Sequence, residues 1–417
     1  MNRWLDRLAA RVVRYGRLQV TWSDGTVSHY GHDGGPSAHL HFRDPSAEWA
    51  VLRNPEVALG EAYMDGRIDF PGGTLLEFLL LLNKNWTEVT HIASLSLLSK
   101  IRYATRGLTQ NNSMLRARRH IARHYDLDER IYRLFLDSDM QYSCAYFERP
   151  DVELEEAQWA KKRHIASKLD LKPGQNVLDI GSGWGGLGLF LAEYFGVNVT
   201  GVTLSAEQHR VSTQRALERG LERQVRFELR DYRALDRTFD RIVSVGMFEH
   251  IGAARYEQFF RTAANLLTPD GVMLLHSIGR SEPPGATNPF IAKYIFPGGY
   301  IPAVSEVIKA VERAPLFVSD MEILRLHYAE TLKAWRNRFL ARRDEAAEIY
   351  DERFCRMWEF YLAGSEAAFR AGGMMVFQLH LAKNQTTLPI TRDYMVAAED
   401  AFRAEQEGPE SLRLAGE

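Results

Sequence analysis

Short apolar runs alternate with amphipathic stretches through the middle of the chain, from about residue 150 to residue 280. This alternation is typical of βαβ units, in which helices cover the faces of a parallel sheet. The predicted strands are Asn176–Ile180, Asn198–Val202, Val225–Leu229, Arg241–Val245 and Val272–Ser277, and the predicted helices are Trp184–Phe195, Ala206–Arg219 and Tyr256–Leu267. We therefore expect an α/β fold whose sheet is mostly parallel and carries helices on both faces.

The segments on either side of this region have different patterns. Residues 1 to about 120 begin with strand-like stretches at Gly16–Trp22 and Gly25–Val27 and continue with helical patterns. From Ser305 onward the chain is rich in aromatic residues and mostly helical, with one further strand predicted at Phe377–Leu381. The patterns thus predict a smaller N-terminal α+β domain ahead of the α/β domain.

The composition is that of an ordinary soluble protein. A net charge of −2 with 25% charged residues over 417 residues argues against a general nucleic-acid binder. The two cysteines, Cys144 and Cys355, provide neither a disulfide framework nor zinc spacing, which suits a reducing compartment. Residues 1–7 lack the apolar core of a signal peptide, and Leu75–Leu82 is far shorter than the ~20 residues that span a bilayer. We expect an intracellular protein that can lie peripherally on a membrane.

One basic segment, Val89–Tyr125, contains no Asp or Glu. Its basic residues are Lys100, Arg102, Arg106, Arg116, Arg118, Arg119 and Arg123. A basic segment that follows apolar helices can hold a protein on an anionic membrane surface. A solvated linker between two domains has the same composition. Both interpretations remain open from the sequence.

The glycine-rich stretch Asn176–Gly186 is the strongest functional signal in the pattern. An apolar strand ends near Asp179, and the chain then turns through Gly181, Gly183 and Gly185 into a helix. Such a turn lets a ligand approach the backbone closely. The last glycine of the GxGxxG dinucleotide fingerprint is missing, so we predict that a nucleoside binds here and not a dinucleotide.

Two neighbouring stretches could complete the binding site. Tyr142–Phe147 is aromatic and precedes the α/β region, so it could cover a bound cofactor or simply be packed in the core. The second strand ends in Gly201–Ser205 without the acidic residue that usually binds a ribose. Thr203 and Gln208 could bind the ribose in its place, whereas Ser205 could serve as a helix N-cap.

Acidic and histidine side chains follow the fourth and fifth strands. Glu249 and His250 come after the fourth strand, and His276 ends the fifth. Ligands of open parallel sheets lie at the carboxyl ends of the strands, so a catalytic role and a structural role are both open for these residues. No cluster has metal-ligand spacing, and no Gly-x-Ser-x-Gly elbow is present, so we predict neither a metal nor a hydrolase.

Several separate motifs resemble those of one known family, in the same order along the chain. They are Asn54–Gly66, His124–Asp126, Tyr142–Phe147, Val177–Gly186, Gly201–Ser205, Phe248–His250, Lys293–Gly299 and His327–Trp335. Through them the chain resembles the cyclopropane-fatty-acyl-phospholipid synthases over nearly its whole length. The wider group includes mycolic acid cyclopropane synthases and fatty-acid C-methyltransferases.

The resemblance implies a Rossmann-like S-adenosylmethionine-dependent methyltransferase domain at residues 121–417. It implies a lipid- or membrane-associating domain with a basic linker at residues 1–120. The cofactor would be S-adenosylmethionine. By analogy its binding residues are Tyr142, Ser143, Asp179, Gly181, Gly183, Gly185, Thr203, Leu204, Gln208, Tyr232 and Arg233.

Synthases of this family also hold a bicarbonate ion in the active site. The matching residues are Cys144, Glu249, His276, Ile278 through its backbone, and Tyr328. The implied reaction transfers a methylene group to the double bond of an unsaturated phospholipid acyl chain. It passes through a carbocation from which bicarbonate removes a proton before the cyclopropane ring closes.

The alternative is a fatty-acid C-methyltransferase, which forms a methyl- or methylene-branched chain from the same carbocation. A catalytically silent lipid-binding protein on the same fold is disfavoured by the intact site. The expected partner is a phospholipid bilayer with unsaturated acyl chains, the protein is expected to be cytoplasmic and peripherally associated with the inner face of the membrane, and no nucleic acid is expected. Whether the chain forms a homodimer is left open.

Overall fold

The computed structural model describes residues 1–85 and 128–406. The basic segment Val89–Tyr125, the motif His124–Asp126 and the expected domain boundary near residue 120 lie outside these residues. Membrane attachment and a plain linker therefore both stay predictions for that segment, and so does the boundary.

The N-terminal part contains a four-stranded sheet of order β2-β1-β3-β4, in which β1 is parallel to β3 and the other pairs are antiparallel. Its elements are α1 Arg3–Val12, β1 Arg17–Thr21, β2 Val27–Gly31, β3 Ser37–Phe42, α2 Pro45–Arg53, α3 Pro55–Met64, β4 Ile68–Asp69 and α4 Leu75–Lys84. Side-chain caps fix the starts of α1 and α4: Asn2 accepts from two backbone N–H groups of α1, and Thr74 forms a capping box with Glu77 in α4. The smaller α+β unit is thus present, although the sequence analysis did not predict α1.

The larger part is built on a seven-stranded sheet of order β10-β11-β9-β8-β5-β6-β7. Its strands are β5 Asn176–Ile180, β6 Asn198–Thr203, β7 Val225–Leu229, β8 Phe239–Val245, β9 Leu267–Arg280, β10 Phe317–Ile323 and β11 Met374–Ala382. The first five of these strands are parallel, and β11 is antiparallel to both β9 and β10. The predicted α/β class is confirmed.

Helices cover both faces of this sheet. They are α5 Glu129–Phe135, α6 Leu154–Lys168, α7 Gly186–Phe195, α8 Ala206–Glu218, α9 Tyr256–Leu266, α10 Val304–Val311, α11 His327–Ala341, α12 Arg343–Ile349, α13 Glu352–Ala371 and α14 Asp393–Gln406. A π-helical turn lies at Ile291–Ile295. The three helices predicted between the central strands are confirmed with bounds that differ by one or two residues.

The strand predicted at Phe377–Leu381 is confirmed within β11, but the sequence analysis missed β10, a second strand after Ser305. It lies at the sheet edge and pairs only with β11. Its side chains are exposed or half-buried without alternation, and Phe317 and Val318 are 49% and 45% exposed. A strand with no buried face lacks the period-2 pattern by which a strand is detected in sequence.

Helix α13 joins the two parts of the molecule. It packs against α3 and α4, and its Ala363 and Ala367 are buried with the N-terminal core. Gly60 of α3 lies so close to Phe290 that a Cβ atom would be 2.4 Å from its ring. These contacts bring the apolar face of the N-terminal sheet toward the carboxyl ends of the parallel strands.

Candidate active site

Of the three glycines in the turn after β5, Gly183 has open space beside its backbone. Gly181, Gly183 and Gly185 all have positive φ, at +85°, +53° and +86°. A Cβ atom on Gly181 would be 2.7 Å from Met247, and one on Gly185 would be 2.6 Å from the Phe227 ring. At Gly183, by contrast, no atom lies within 4 Å of the Cβ position. Gly183 therefore leaves space for a ligand, while the other two glycines permit close packing.

A cavity of about 140 Å³ opens above this turn. The predicted cofactor residues that line it are Tyr142, Ser143, Asp179, Gly181, Gly183, Thr203, Leu204, Gln208, Tyr232 and Arg233. Gly185 is the exception, because it begins α7 and packs on Phe227 instead of lining the cavity. The structure thus brings ten of the eleven residues to one cavity.

The end of β6 contributes a preformed polar pair. The Thr203 hydroxyl donates to Gln208 Oε1 at 2.9 Å, and both residues line the cavity. Ser205 accepts from the Gln208 backbone N–H at 3.3 Å and is the N-cap of α8. The capping role for Ser205 is confirmed, and the binding of a ribose by Thr203 and Gln208 stays a prediction.

A buried acidic side chain, Asp179, and a buried basic side chain, Lys161, line the same cavity. Burial raises the pKa of Asp179 to about 7, and its Oδ2 has no hydrogen-bond partner among the described residues. Burial also lowers the pKa of Lys161 to about 8, and its ammonium donates to Ser143 Oγ at 2.7 Å and Gln141 Oε1 at 2.8 Å. The cavity therefore offers an acceptor and a cation to a zwitterionic ligand.

Sequence reasoning missed Lys161. It stands in the basic run Lys161–Arg163 of α6, which is indistinguishable in sequence from a solvated helix face. All three side chains are buried in the folded chain.

The rim of the cavity is held by an ion pair. Arg233 binds both carboxylate oxygens of Asp231, at 2.9 and 2.6 Å. Its guanidinium carbon also lies 5.7 Å from the centre of the Tyr232 ring. Bidentate pairing and stacking restrain this short turn, which places a flat side chain beside the cavity.

A second and larger cavity, of about 580 Å³, connects the two parts of the molecule. Its N-terminal walls are apolar and include Leu18, Val20, Trp22, Leu40, Phe42 and Phe78. At its other end it reaches Cys144, Glu249, His276, Ile278 and Tyr328, which are all five of the predicted catalytic residues. The two cavities share Tyr142, Ser143, Gly246 and His250 as lining residues, so they meet at this point.

Glu249 is a buried carboxyl group with one satisfied oxygen. Oε1 accepts from the Ile278 backbone N–H at 2.6 Å. Oε2 is buried and has no partner in the described parts of the chain. Burial raises the pKa of Glu249 to about 7. The Ile278 backbone N–H is already hydrogen-bonded to Glu249. Contact of the Ile278 backbone with an anion therefore stays a prediction.

His276 is held neutral and in one tautomer. Burial, reinforced by the positive charges of Lys161 and Lys168, lowers its pKa well below the usual range. Lys168 can only donate, and its ammonium is 2.6 Å from Gln378 Oε1. The Gln378 amide nitrogen is therefore the atom that donates to His276 Nδ1, at 3.2 Å. With Nδ1 as an acceptor, the ring proton is on Nε2, which is a donor.

Gln378 and Lys168 are further residues that the sequence did not reveal. Gln378 is on β11, one strand away from His276 on β9, and the two are paired in register. A glutamine inside the apolar strand Met374–Ala382 was the available signal, because a buried amide needs a partner.

The remaining two predicted catalytic residues face the cavity from the core. Burial raises the pKa of the Cys144 thiol, which donates weakly to Ala145 O at 3.3 Å, so this residue is a neutral thiol and not a nucleophilic thiolate. Tyr328 packs edge-on against Trp335 and near Phe369, with ring centres 5.7 and 4.8 Å apart. These rings continue an aromatic wall with Tyr142, whose hydroxyl is 2.8 Å from that of Tyr361.

Within residues 1–85 and 128–406, no group of three or more His, Cys, Asp or Glu is arranged to hold a metal ion. The absence of a metal stays a prediction. No helix in the same described residues is long and apolar enough to cross a membrane.

The sheet order and the cradle after the first parallel strand define a methyltransferase of the S-adenosylmethionine-dependent class. The chain belongs to the mycolic acid cyclopropane synthetase family, whose model matches residues 112–379. A second family model, described as a domain of unknown function, matches residues 11–90.

Relatives with assigned names cover most of the chain. Cyclopropane-fatty-acyl-phospholipid synthase of Escherichia coli K12 is 40% identical over 348 residues, which are 83% of this chain and 88% of that protein. Tuberculostearic acid methyltransferase UfaA1 of Mycobacterium tuberculosis is 36% identical over 391 residues, which are 91% of this chain and 90% of that protein.

Solved structures agree with this membership. Mycolic acid cyclopropane synthase CmaA1, complexed with SAH and CTAB, is 38% identical and has a TM-score of 0.61. It covers 64% of this chain, and 98% of its own length is matched. Cyclopropane synthase MmaA2 of Mycobacterium tuberculosis is 37% identical with the same TM-score and the same coverage.

Proposed function

We propose that this protein is a cyclopropane-fatty-acyl-phospholipid synthase that uses S-adenosylmethionine. The observation that carries the proposal is the meeting of the two cavities at Tyr142, Ser143, Gly246 and His250. A cofactor in the smaller cavity and an acyl chain in the larger one would touch there. Glu249 and His276 line the large cavity beside this contact.

The smaller cavity fits S-adenosylmethionine. Asp179 Oδ2, which has no hydrogen-bond partner within the described residues, suits the ammonium of the cofactor's methionine end, and the Lys161 ammonium suits the carboxylate. Thr203 and Gln208, which are hydrogen-bonded to each other, line the cavity where the ribose would lie, and Tyr232 lines it where the adenine would lie. When bound, the cofactor supplies the methyl group.

The large cavity fits an unsaturated acyl chain. Its walls are mostly apolar along its length, and its polar groups are concentrated at the catalytic end. A cavity of about 580 Å³ lies within the usual range for sites that bury an apolar ligand. The N-terminal sheet would thus hold one part of the lipid while the double bond lies beside the cofactor.

The aromatic wall would protect the acyl chain while it carries the positive charge of the carbocation. Attack of an alkene on a methyl cation equivalent leaves a carbocation, which water would trap. The rings of Tyr142, Tyr328, Tyr361 and Phe369 exclude water from the reacting end of the cavity and turn aromatic surface toward it. Aromatic faces attract a cation through their quadrupole.

The polar end of the cavity fits a bicarbonate base. His276 carries its proton on Nε2 and can donate it, Tyr328 has a hydroxyl, and Glu249 Oε2 has no hydrogen-bond partner among residues 1–85 and 128–406. Glu249 would accept the hydroxyl proton of the ion or share a proton with it, since two bare anions would repel. Bicarbonate supplies a base there, and Cys144 and Ile278 complete the lining.

The runner-up is a fatty-acid C-methyltransferase, which the similarity to UfaA1 favours. Both activities need the same cavities and differ only in the fate of the carbocation. Peripheral attachment to the cytoplasmic face of a membrane, with phospholipid as the partner, follows from either activity. A homodimer is compatible with both.

Expression in a bacterial host that lacks its own synthase tests the proposal. Lipids are extracted, and the products are identified by mass spectrometric fragmentation and NMR, because cyclopropane and methylene-branched chains have equal mass. We expect cyclopropane rings at former double bonds. Methyl or methylene branches would establish the runner-up, and unmodified lipids from a folded, cofactor-binding protein would contradict both.

A further inference from the structure

Helix α1 exposes a row of arginines. Arg3, Arg7 and Arg11 follow one another at four-residue spacing, and Arg14 comes just after the helix. All four are exposed, and none forms an ion pair with the residues that the structure describes. The one acidic residue of the helix, Asp6, is engaged elsewhere, because it accepts from the Tyr30 hydroxyl at 2.5 Å.

An exposed tryptophan lies beside this row. Trp4 is 64% exposed, and the Arg7 guanidinium carbon is 5.6 Å from the centre of its ring. A single exposed aromatic side chain is common on protein surfaces, so Trp4 is informative only together with the arginines beside it. Tryptophan and arginine together are the side chains that suit the boundary between lipid headgroups and acyl chains.

The opposite face of the same helix lines the large cavity. Leu5, Leu8, Ala9 and Val12 follow helical spacing and are all lining residues. The arginine row and the large cavity are therefore separated only by the width of α1. The side chain of Asn85 fastens the end of this segment by accepting from the backbone of Arg14 and Tyr15, at 2.8 and 2.9 Å.

We propose that α1 is the surface that docks on an anionic phospholipid bilayer, and that lipid enters the large cavity along this helix. The use of the cavity for lipid rests on the proposed function, whereas the docking does not. The arginines, which have no ion-pair partner in the described part of the chain, attract anionic headgroups. Trp4 inserts at the interface, and the inner face of α1 lines the large cavity. Phospholipid is the occupant that matches all three features.

The test compares two variants with the same loss of charge. The first carries Arg3→Gln, Arg7→Gln, Arg11→Gln and Arg14→Gln. The control carries Arg223→Gln, Arg226→Gln, Arg261→Gln and Arg313→Gln, which are exposed positions on the catalytic domain. Binding to vesicles of mixed phosphatidylglycerol and phosphatidylcholine is measured by co-sedimentation at low and high salt, with duplex DNA as a competing polyanion.

We expect the α1 variant to lose roughly a hundredfold in vesicle affinity at low salt, while the control stays within a few-fold of the unmodified protein. Trp4→Ala should weaken the binding that persists at high salt. Both variants should keep the cofactor affinity and circular dichroism spectrum of the unmodified protein, which excludes unfolding as the cause.

Measuring turnover on vesicles and on detergent-dispersed phospholipid distinguishes a failure of the docking surface from a failure of the proposed function. The α1 variant should be slow on vesicles and unimpaired on detergent-dispersed phospholipid. Equal vesicle binding by both variants would overturn the docking surface, and so would tighter binding to DNA than to vesicles. Absence of turnover in every preparation, with vesicle binding lost only in the α1 variant, would contradict the proposed function and leave the docking surface standing.

Discussion

Gln378 donates its side-chain amide to Nδ1 of His276 at 3.2 Å, and Lys168 fixes the orientation of that amide from the other side. Gln378→Glu keeps the shape and gives Lys168 a second carboxylate partner beside Glu322, so the protein should fold. The new carboxylate can only accept, which would move the His276 proton to Nδ1 and leave Nε2 as an acceptor facing the proposed anion. We expect turnover to fall on the order of 10²–10³-fold.

Nitrogen NMR of the His276 ring checks this prediction independently of activity, because the two tautomers exchange their characteristic shifts. Cofactor affinity should stay unchanged. Full turnover in Gln378→Glu with a reversed tautomer would remove the donor role of His276.

Gly183→Val should abolish cofactor binding. The position has φ +53° and open space toward the cavity, so a branched side chain would be strained and would fill the ligand's place. Gly174→Val is the matched control, because Gly174 also has positive φ, at +81°, and open space but lies outside the cavity. Calorimetric titration with S-adenosylmethionine should show no binding only for the first variant.

Glu249→Gln and Tyr328→Phe should each lose most turnover while still binding the cofactor. Both changes preserve volume and remove one polar function at the catalytic end of the cavity, where a single preorganised contact is worth ~10²–10³ in rate. Glu193→Gln and Tyr194→Phe, on the outer side of α7, are the controls. Near-normal turnover in both active-site variants would remove the bicarbonate site.

Glu249 should also make stability depend on pH. Its pKa of about 7 lies above its usual 4.5, so between these values the folded chain keeps a proton that the unfolded chain has lost. Its contribution is therefore fully present below about pH 4.5 and is lost as the pH rises through 7.

Above pH 7 the buried Glu249 carboxylate is charged and destabilises the folded state, whereas a glutamine stays neutral. Glu249→Gln should therefore be more stable than the unmodified protein above pH 7, by on the order of 3 kcal/mol. Thermal unfolding in bicarbonate-free buffer measures the difference. It should grow from pH 4.5 to pH 7 and then level off; a difference independent of pH would show that Glu249 titrates normally.

Gly364 provides a way to close the large cavity without disturbing the fold. It lies inside α13 and lines the cavity, and a Cβ atom there would meet nothing within 4 Å. Both Gly364→Ala and Gly364→Leu should stabilise the helix, by up to about 1 kcal/mol, because glycine is a poor helix former. Only Leu should fill enough space to impair turnover. Equal activity in the two variants would place the acyl chain elsewhere.

The sequence by itself determined the central sheet. Strands β5, β7 and the helices between them were located nearly to the residue, because buried parallel strands are short apolar runs bounded by turn residues. Strand β10 escaped because a half-exposed edge strand has no such pattern. Helix α1 escaped as well, although it begins with a recognisable Asn2 cap.

The glycine turn and the end of β6 were recognisable from the sequence pattern, whereas the full set of predicted cofactor residues came from the family resemblance, and ten of the eleven line one cavity. The five catalytic candidates came from the family resemblance, and the structure places them around one cavity. The spacing of these residues in the sequence, from Cys144 to Tyr328, does not show that they line the same cavity. Their proximity depends on how α11, which carries Tyr328, packs across the sheet.

Only the tertiary structure decided the rest. Lys161, Lys168 and Gln378 have ordinary sequence contexts, and they matter because burial removes water and leaves each with one or two defined partners. The large cavity arises between two separately patterned domains that α13 brings together. Sequence periodicity reports which face of an element is buried, whereas the partner of that face, and the space left between the two, are fixed by packing.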